Sequence, residues 1–272
     1  MSPIWVVVIV AAAVSSLCWI ASLVTGDTSW VDRIWSVVPV VYMWIFAGAA
    51  GFDDMRLMVM AVLTTLWGIR LTFNFARRGG YTGTEDYRWA ILRERMSSWQ
   101  FAAFNLLFIV IYQNLLLVLI ALPGYSAFEH QGGFGVADVV IAVLFLCALV
   151  GETVADQQQW DFHAWKNAET AAGRTPSPRF NTRGLFRFSR HPNYFFEIAQ
   201  WWLIFAFGAV AAGSLWQWTI IGAVLLTVLF IGSTVLTESV TLSKYPEYAE
   251  YQRSTSPIVP WFPRRPQQRL AH

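Results

Sequence analysis

The chain has 272 residues, of which 56% are hydrophobic and only 13% charged, with 15 Trp, 20 Phe and a formal net charge of +2. A soluble domain carries about 25% charged residues, so this composition, with a mean hydropathy of +0.45, excludes an ordinary soluble domain and points to an integral membrane protein. Cys18 and Cys147 lie in apolar runs, read as buried thiols rather than a disulfide, and no cluster of Cys and His marks a metal site.

A helix needs about 20 apolar residues to cross the hydrocarbon. On that measure the sequence predicts seven spans, near 3–24, 31–50, 56–76, 100–122, 136–158, 195–212 and 216–237. The expected fold is all-α, a single membrane bundle of seven transmembrane helices, because backbone groups cannot go unpaired in lipid. The first run, "MSPIWVVVIV", lacks a basic n-region and reads as a span rather than a cleaved signal.

Basic residues fall after span three (Arg77, Arg78, Arg88, Arg93, Arg95), between spans five and six (Lys166, Arg174, Arg179, Arg183, Arg187, Arg190) and after span seven (Lys244, Arg253, Arg264, Arg265, Arg269). The opposite face holds Arg56 and little else basic. With seven spans this asymmetry predicts the N-terminus outside and the C-terminus in the cytoplasm. It also makes residues 159–194 a cytoplasmic loop and 238–272 a cytoplasmic tail.

The 159–194 segment is longer than a connector needs, and such loops are often functional. "TPSP" breaks any helix and "NTRG" reads as a turn. Arg, His, Trp and Phe interleave along it, a composition suited to an anionic, aromatic cofactor. Neither Gly-rich phosphate motif is present, so a nucleotide would be held by side chains. Pro192 suits the first turn of span six, where a missing N–H costs nothing. Asn193 and Glu197 are four apart and share a helix face.

"GLFRFSRHPNYFFEIAQWW" and "KYPEYAEYQRSTSPIVPW" together resemble the steroid 5-alpha-reductase family, in its bacterial branch. "SWVDRIWSVVP", "LWGIRLTFNFARRGGYTGTEDYRW" and "ETVADQQQWDFHAWK" agree, so the resemblance covers about residues 28–262. It implies a bundle holding NADPH on the cytoplasmic side of a bacterial inner membrane, where a carbon–carbon double bond conjugated to a carbonyl is reduced in a lipophilic substrate. Steroids and other isoprenoid or lipid enones all suit it. The implied cofactor residues are Asp156, Asn193, Tyr194, Glu197, Tyr248 and Tyr251, with Arg77, Arg78, Arg190 and His191 for its phosphates. Asp32, seven residues before Pro39, matches the family's acid on span two, with Asp where the family has Glu. Its neighbour Arg33 is a candidate ion-pair partner that would remove it from catalysis. The family's tyrosine on span three is unmatched, Trp67 standing there instead. Tyr87, Tyr112 and Gln113 are candidates for the missing donor, Tyr87 as a catalytic group and the other two on the substrate side. Trp67 and Trp201 are the expected aromatic substrate contacts. Membrane lipid and the substrate are the expected partners, with no nucleic acid; the sequence leaves the oligomeric state open, a monomer included.

A second family shares the "RHPNYFFE" signature in part: membrane methyltransferases of the isoprenylcysteine or phospholipid type, which use S-adenosylmethionine. Their motif has a glycine where Phe195 or Phe196 stands here. A non-enzymatic scaffold has no use for Asp32, Asp156, Asn193 and Glu197 together, and no internal repeat of the transporter kind is visible.

Overall fold

The computed structural model describes residues 1–82 and 87–264, without the side chains of Tyr87, Arg88 and Ala90. The described residues are mostly helical, with α1 (Pro3–Thr25), α2 (Trp30–Ile34), α3 (Val38–Ala49), α4 (Met55–Arg77), α5 (Tyr87–Arg95), α6 (Ser98–Phe104), a π-helical segment (Asn105–Tyr112), α7 (Gln113–Glu129), α8 (Val136–Ala171), α9 (Pro192–Ala211), α10 (Ile220–Lys244) and α11 (Tyr248–Ser254). Among the described residues, six helices are long and apolar enough to cross a membrane: α1, α4, the continuous Ser98–Glu129 stretch, α8, α9 and α10. This is a membrane protein.

The run expected to form span two is broken. α2 ends at Ile34 and α3 has 12 residues, about 18 Å of rise against the roughly 30 Å of a hydrocarbon core. Pro39 sits in the first turn of α3. It lacks an N–H and its ring clashes with the carbonyl four residues back, so the helix cannot run through from α2.

α8 differs in the other direction. The polar sequence after residue 158, expected to be loop, continues the helix to Ala171, for 36 residues in all. Polarity there marks the exit from the membrane, not the end of the helix. "QQQWDFHAWKNAETAA" holds good helix formers and neither Gly nor Pro. Pairs one turn apart support it: Gln157 Nε2 donates to Asp161 Oδ1 at 2.7 Å, and Gln159 meets His163 at 3.1 Å. The helix stops before Gly173, whose φ of +73° is left-handed. α9 begins at Pro192 as the sequence predicts, and α10 runs to Lys244, which takes residues 238–244 out of the expected tail.

The chain forms two compact units: residues 1–145 with 201–226, and residues 146–200 with 227–272. In the first, Tyr42, Met43, Phe46, Leu57, Met60 and Trp67 from α3 and α4 are fully buried with Ile109, Leu116, Leu117 and Ile120. Pro123 inside α7 cannot bond the carbonyl of Leu119. That carbonyl faces the backbone of Gly222, where an added Cβ would stand 2.3 Å from it. Glycine is the residue that lets α10 approach so closely.

Arg56 is not a surface charge. Its Nε and Nη2 donate to Asp138 at 2.6 and 3.0 Å, and Nη2 also donates to the Gly133 carbonyl at 2.9 Å. The two side chains are 5% and 1% exposed. Asp138 lies in the first turn of α8, where a carboxylate also complements the positive end of the helix dipole. The pair ties the start of α4 to the start of α8.

Candidate functional site

The second unit holds most of the residues expected to bind a cofactor. α8 and α9 pack closely there: a Cβ on Gly151 would lie 2.5 Å from the Phe196 ring. On α8, Glu152 and Asp156 are four apart; on α9, Asn193, Glu197 and Gln200 follow at spacings of four and three, which share one helix face. Asn193 Nδ2 donates to Asp156 Oδ1 at 3.5 Å, and Gln200 Nε2 donates to Glu152 Oε2 at 2.6 Å. Glu152, Asp156 and Glu197 are each 4% exposed. Three buried carboxylates on membrane helices are costly unless compensated, and ionisable groups at such depth mark functional sites by default. Asp156, Asn193 and Glu197 were legible as a set. Glu152 and Gln200 were missed, although each lies one turn from a residue already singled out.

Arg190 and His191, expected against cofactor phosphates, meet Glu238 of α10. Arg190 Nε and Nη2 donate to its two oxygens at 2.6 and 3.0 Å, and Nη1 donates to the backbone carbonyls of Gln252, at 2.9 Å, and Thr255. His191 Nε2 lies 3.1 Å from the same carboxylate, with Gln252 Nε2 donating at 2.8 Å and the Tyr248 hydroxyl at 3.4 Å. Glu238 thus gathers five contacts from α9's head and from α11 around one buried charge. It was overlooked in the sequence, although an acid within an apolar run is a signal in its own right.

Tyr194 stacks on His191 at 5.0 Å and meets Phe230 edge-on at 4.7 Å. Tyr251 donates its hydroxyl to the Phe186 carbonyl and stacks on Phe180 at 5.5 Å, with Tyr248 edge-on to the same ring at 4.9 Å. Burial holds both the Tyr248 and Tyr251 phenols above their usual ionisation range. The segment after α11 is tied to the residues that precede α9: Arg190 N and His191 N donate to the carbonyls of Ser256 and Pro257, and Trp261 N donates to that of Phe188 at 2.9 Å.

The first unit holds the remaining expected residues. Asp32 Oδ2 accepts from the indole N–H of Trp89 at 3.1 Å. Arg33 does not turn to Asp32; it pairs with Asp27, donates to the Gly80 carbonyl at 3.3 Å and lies 4.7 Å over the Trp30 ring. The neighbouring ion pair that would have removed Asp32 from chemistry is therefore directed elsewhere. Around Asp32 the setting is apolar: Val31, Cys18, Trp89 and Ile109 form a buried cluster, flanked by Phe104 and Phe108. The π-helical turn bonds i to i+5, so every fourth residue comes nearly above the last. Phe104, Phe108 and Tyr112 stack face to face along it, at 5.0 and 5.2 Å. Trp89, which leans on Phe104 at 5.9 Å, links this aromatic column to Asp32. The column ends at Tyr112, whose hydroxyl donates to the Leu225 carbonyl at 3.5 Å. Beside it Gln113 is buried, and its Oε1 has no hydrogen-bond partner among the described residues.

Trp67 and Trp201, the two expected aromatic substrate contacts, meet edge to face at 4.8 Å. Arg77 donates to Asn74 Oδ1 at 2.9 Å and lies over the Phe73 ring, with Arg78 following at the end of α4. The Tyr87 side chain lies outside the described residues.

The profile of DUF1295, described as a protein of unknown function, matches residues 18–255. The chain belongs to the DUF1295 family. An uncharacterised protein of Schizosaccharomyces pombe is 38% identical over 276 residues, covering 95% of this chain and 80% of the relative. With that relative in a fungus, the likeness reaches beyond a bacterial branch. No solved structure matches. The DUF1295 match takes in every residue of the two constellations above, from Cys18 beside Asp32 to Tyr251 and Gln252 beside Glu238.

Proposed function

We propose that this DUF1295 protein is an NADPH-dependent membrane reductase of a carbon–carbon double bond conjugated to a carbonyl, acting on a steroid-like or other isoprenoid or lipid substrate. The observation that carries the reading is the Asp156–Asn193 contact at 3.5 Å on the packed faces of α8 and α9, with the buried Glu197 one turn further on.

These groups suit the cofactor. A carboxamide both donates and accepts, which matches the carboxamide of a nicotinamide, and a buried carboxylate accepts from ribose hydroxyls or an amine. Bound NADPH supplies hydride; the protein must supply a proton. Reduction of an enone places negative charge on the carbonyl oxygen, and a donor aimed there lowers the barrier. Asp32 is the acid in this reading. Indole can only donate, so Trp89 fixes Asp32 Oδ2 as an acceptor. Trp67, Trp201, Tyr112 and Gln113 are the substrate-side residues.

In the membrane, we place the N-terminus outside and the C-terminus in the cytoplasm, with α2 and α3 together as the seventh, broken crossing. The basic residues support this orientation. Reporter fusions after residue 272 and within 172–183 are expected to report cytoplasm both times.

The deciding experiment is calorimetric titration of the detergent-purified protein with NADPH and, separately, with S-adenosylmethionine. Binding of NADPH alone is the expected result. Binding of S-adenosylmethionine alone would replace this reading with a methyltransferase.

A further inference from the structure

α8 carries a second face. Gln158 follows Asp156 by two positions, about 200° round a helix of 3.6 residues per turn. Gln158, Asp161, Phe162 and Trp165 therefore look away from the Asp156–Asn193 contact. With Asn181 and Arg183 of the following loop they line a cleft of about 380 Å³.

The cleft is built rather than incidental. Leu185 N donates to Gln158 Oε1 at 2.9 Å and Asn181 Nδ2 donates to the Gln158 carbonyl at 3.3 Å, which fixes the loop to the helix. Gly184 adopts a φ of +59°, and a Cβ there would lie 2.4 Å from Gln158 Oε1. Phe162 and Trp165 form one wall as a tilted pair 5.6 Å apart. Asp161 and Arg183, both exposed, bring one negative and one positive charge.

Its depth follows from the helix. The 36 residues of α8 rise about 54 Å, and the hydrocarbon takes about 30 Å of that. The apolar run ends near residue 155, so the cleft begins where the headgroup layer begins.

We propose that this cleft binds the zwitterionic headgroup of a phospholipid, an ammonium joined to a phosphodiester. The ammonium faces Asp161 and the aromatic pair, which attracts cations through its ring faces. The phosphate faces the Arg183 guanidinium, whose fork suits phosphate oxygens. An anionic lipid without an amine has nothing to offer Asp161. The proposal does not depend on the reductase reading.

The test uses the full-length protein in detergent, with bound lipid counted by native mass spectrometry. Dihexanoylphosphatidylethanolamine is compared with dihexanoylphosphatidylglycerol and with soluble phosphoethanolamine. The ethanolamine lipid is expected to bind best. Asp161→Asn, which keeps an amide oxygen to accept from Gln157, should weaken it about tenfold, the measure of one charge-assisted hydrogen bond, and leave the glycerol lipid unchanged. Arg183→Gln should weaken both lipids. Equal binding of the two lipids, or no effect of Asp161→Asn, overturns the proposal. Equal binding of soluble phosphoethanolamine overturns a lipid as the source of the headgroup. NADPH is added last: its displacement of the lipid would assign the cleft to the dinucleotide and overturn the proposal. Failure of NADPH to bind while the lipid stays bound removes the reductase reading and leaves the cleft standing.

Discussion

The indole N–H of Trp89 donates to Asp32 at 3.1 Å across 57 residues of sequence, and Trp89 is 5% exposed. If Asp32 is the acid, Trp89 positions it. Asp32→Leu should lower single-turnover reduction of an enone by about 10²–10⁴-fold, the usual contribution of general acid catalysis, with Asp32→Asn intermediate and NADPH affinity within a few-fold of the wild type. Trp89→Phe keeps the ring packing and removes the donor. It should lower turnover less and shift its pH dependence, because the carboxyl loses the hydrogen bond that positions it. An unchanged pH profile in Trp89→Phe would reduce Trp89 to packing.

The Asp156–Asn193 pair makes a separate prediction. Each of Asp156→Asn and Asn193→Ala should weaken NADPH by about 10- to 100-fold, the range of a hydrogen bond to a charged or buried group, measured by calorimetry. Wild-type affinity in both variants would remove the observation on which the proposed function rests.

The arginines divide into two kinds. Arg190 is held by Glu238 and two backbone carbonyls, so Arg190→Gln should lower thermal stability without altering the preference for NADPH over NADH. Arg77 and Arg78 at the end of α4 carry the preference in the proposed reading. Their joint replacement by Ala should weaken NADPH more than NADH, since a 2′-phosphate adds up to about two negative charges. Equal loss of both cofactors would deny them that role.

Breaking the Arg56–Asp138 pair leaves one buried charge alone. Asp138→Asn should cost about 3–5 kcal/mol of stability, read by unfolding in detergent. The double variant Arg56→Met with Asp138→Leu should recover most of that loss, because apolar replacement of both partners avoids the stranded charge.

What the sequence disclosed and what it hid follow from the range of the interactions concerned. Asp156, Asn193 and Glu197 were readable because helical spacing is local and a carboxylate in an apolar run stands out. Pro39 and the composition of residues 159–171 also held local signals, but hydropathy outweighed them, so a broken span was drawn as one helix and a helix as a loop. Glu238 closes on residues 48 positions before it, and Arg33 chose Asp27 over its neighbour Asp32. Which of several acids an arginine meets is decided by tertiary packing, and no pattern along the chain encodes it.

The long span between Arg190 and its partners also sets a timetable. Glu238 follows Arg190 by 48 residues and Thr255 by 65. At a synthesis rate of about 5–20 residues per second, the head of α9 must wait roughly 2–10 s for its carboxylate and roughly 3–13 s for the last carbonyl. Throughout that interval the newly made arginine stands at the threshold of a membrane helix without the groups that will hold it. The second unit can close only when nearly the whole chain has been made, so a message cut short before codon 238 would yield an α9 whose leading charge has no carboxylate to meet.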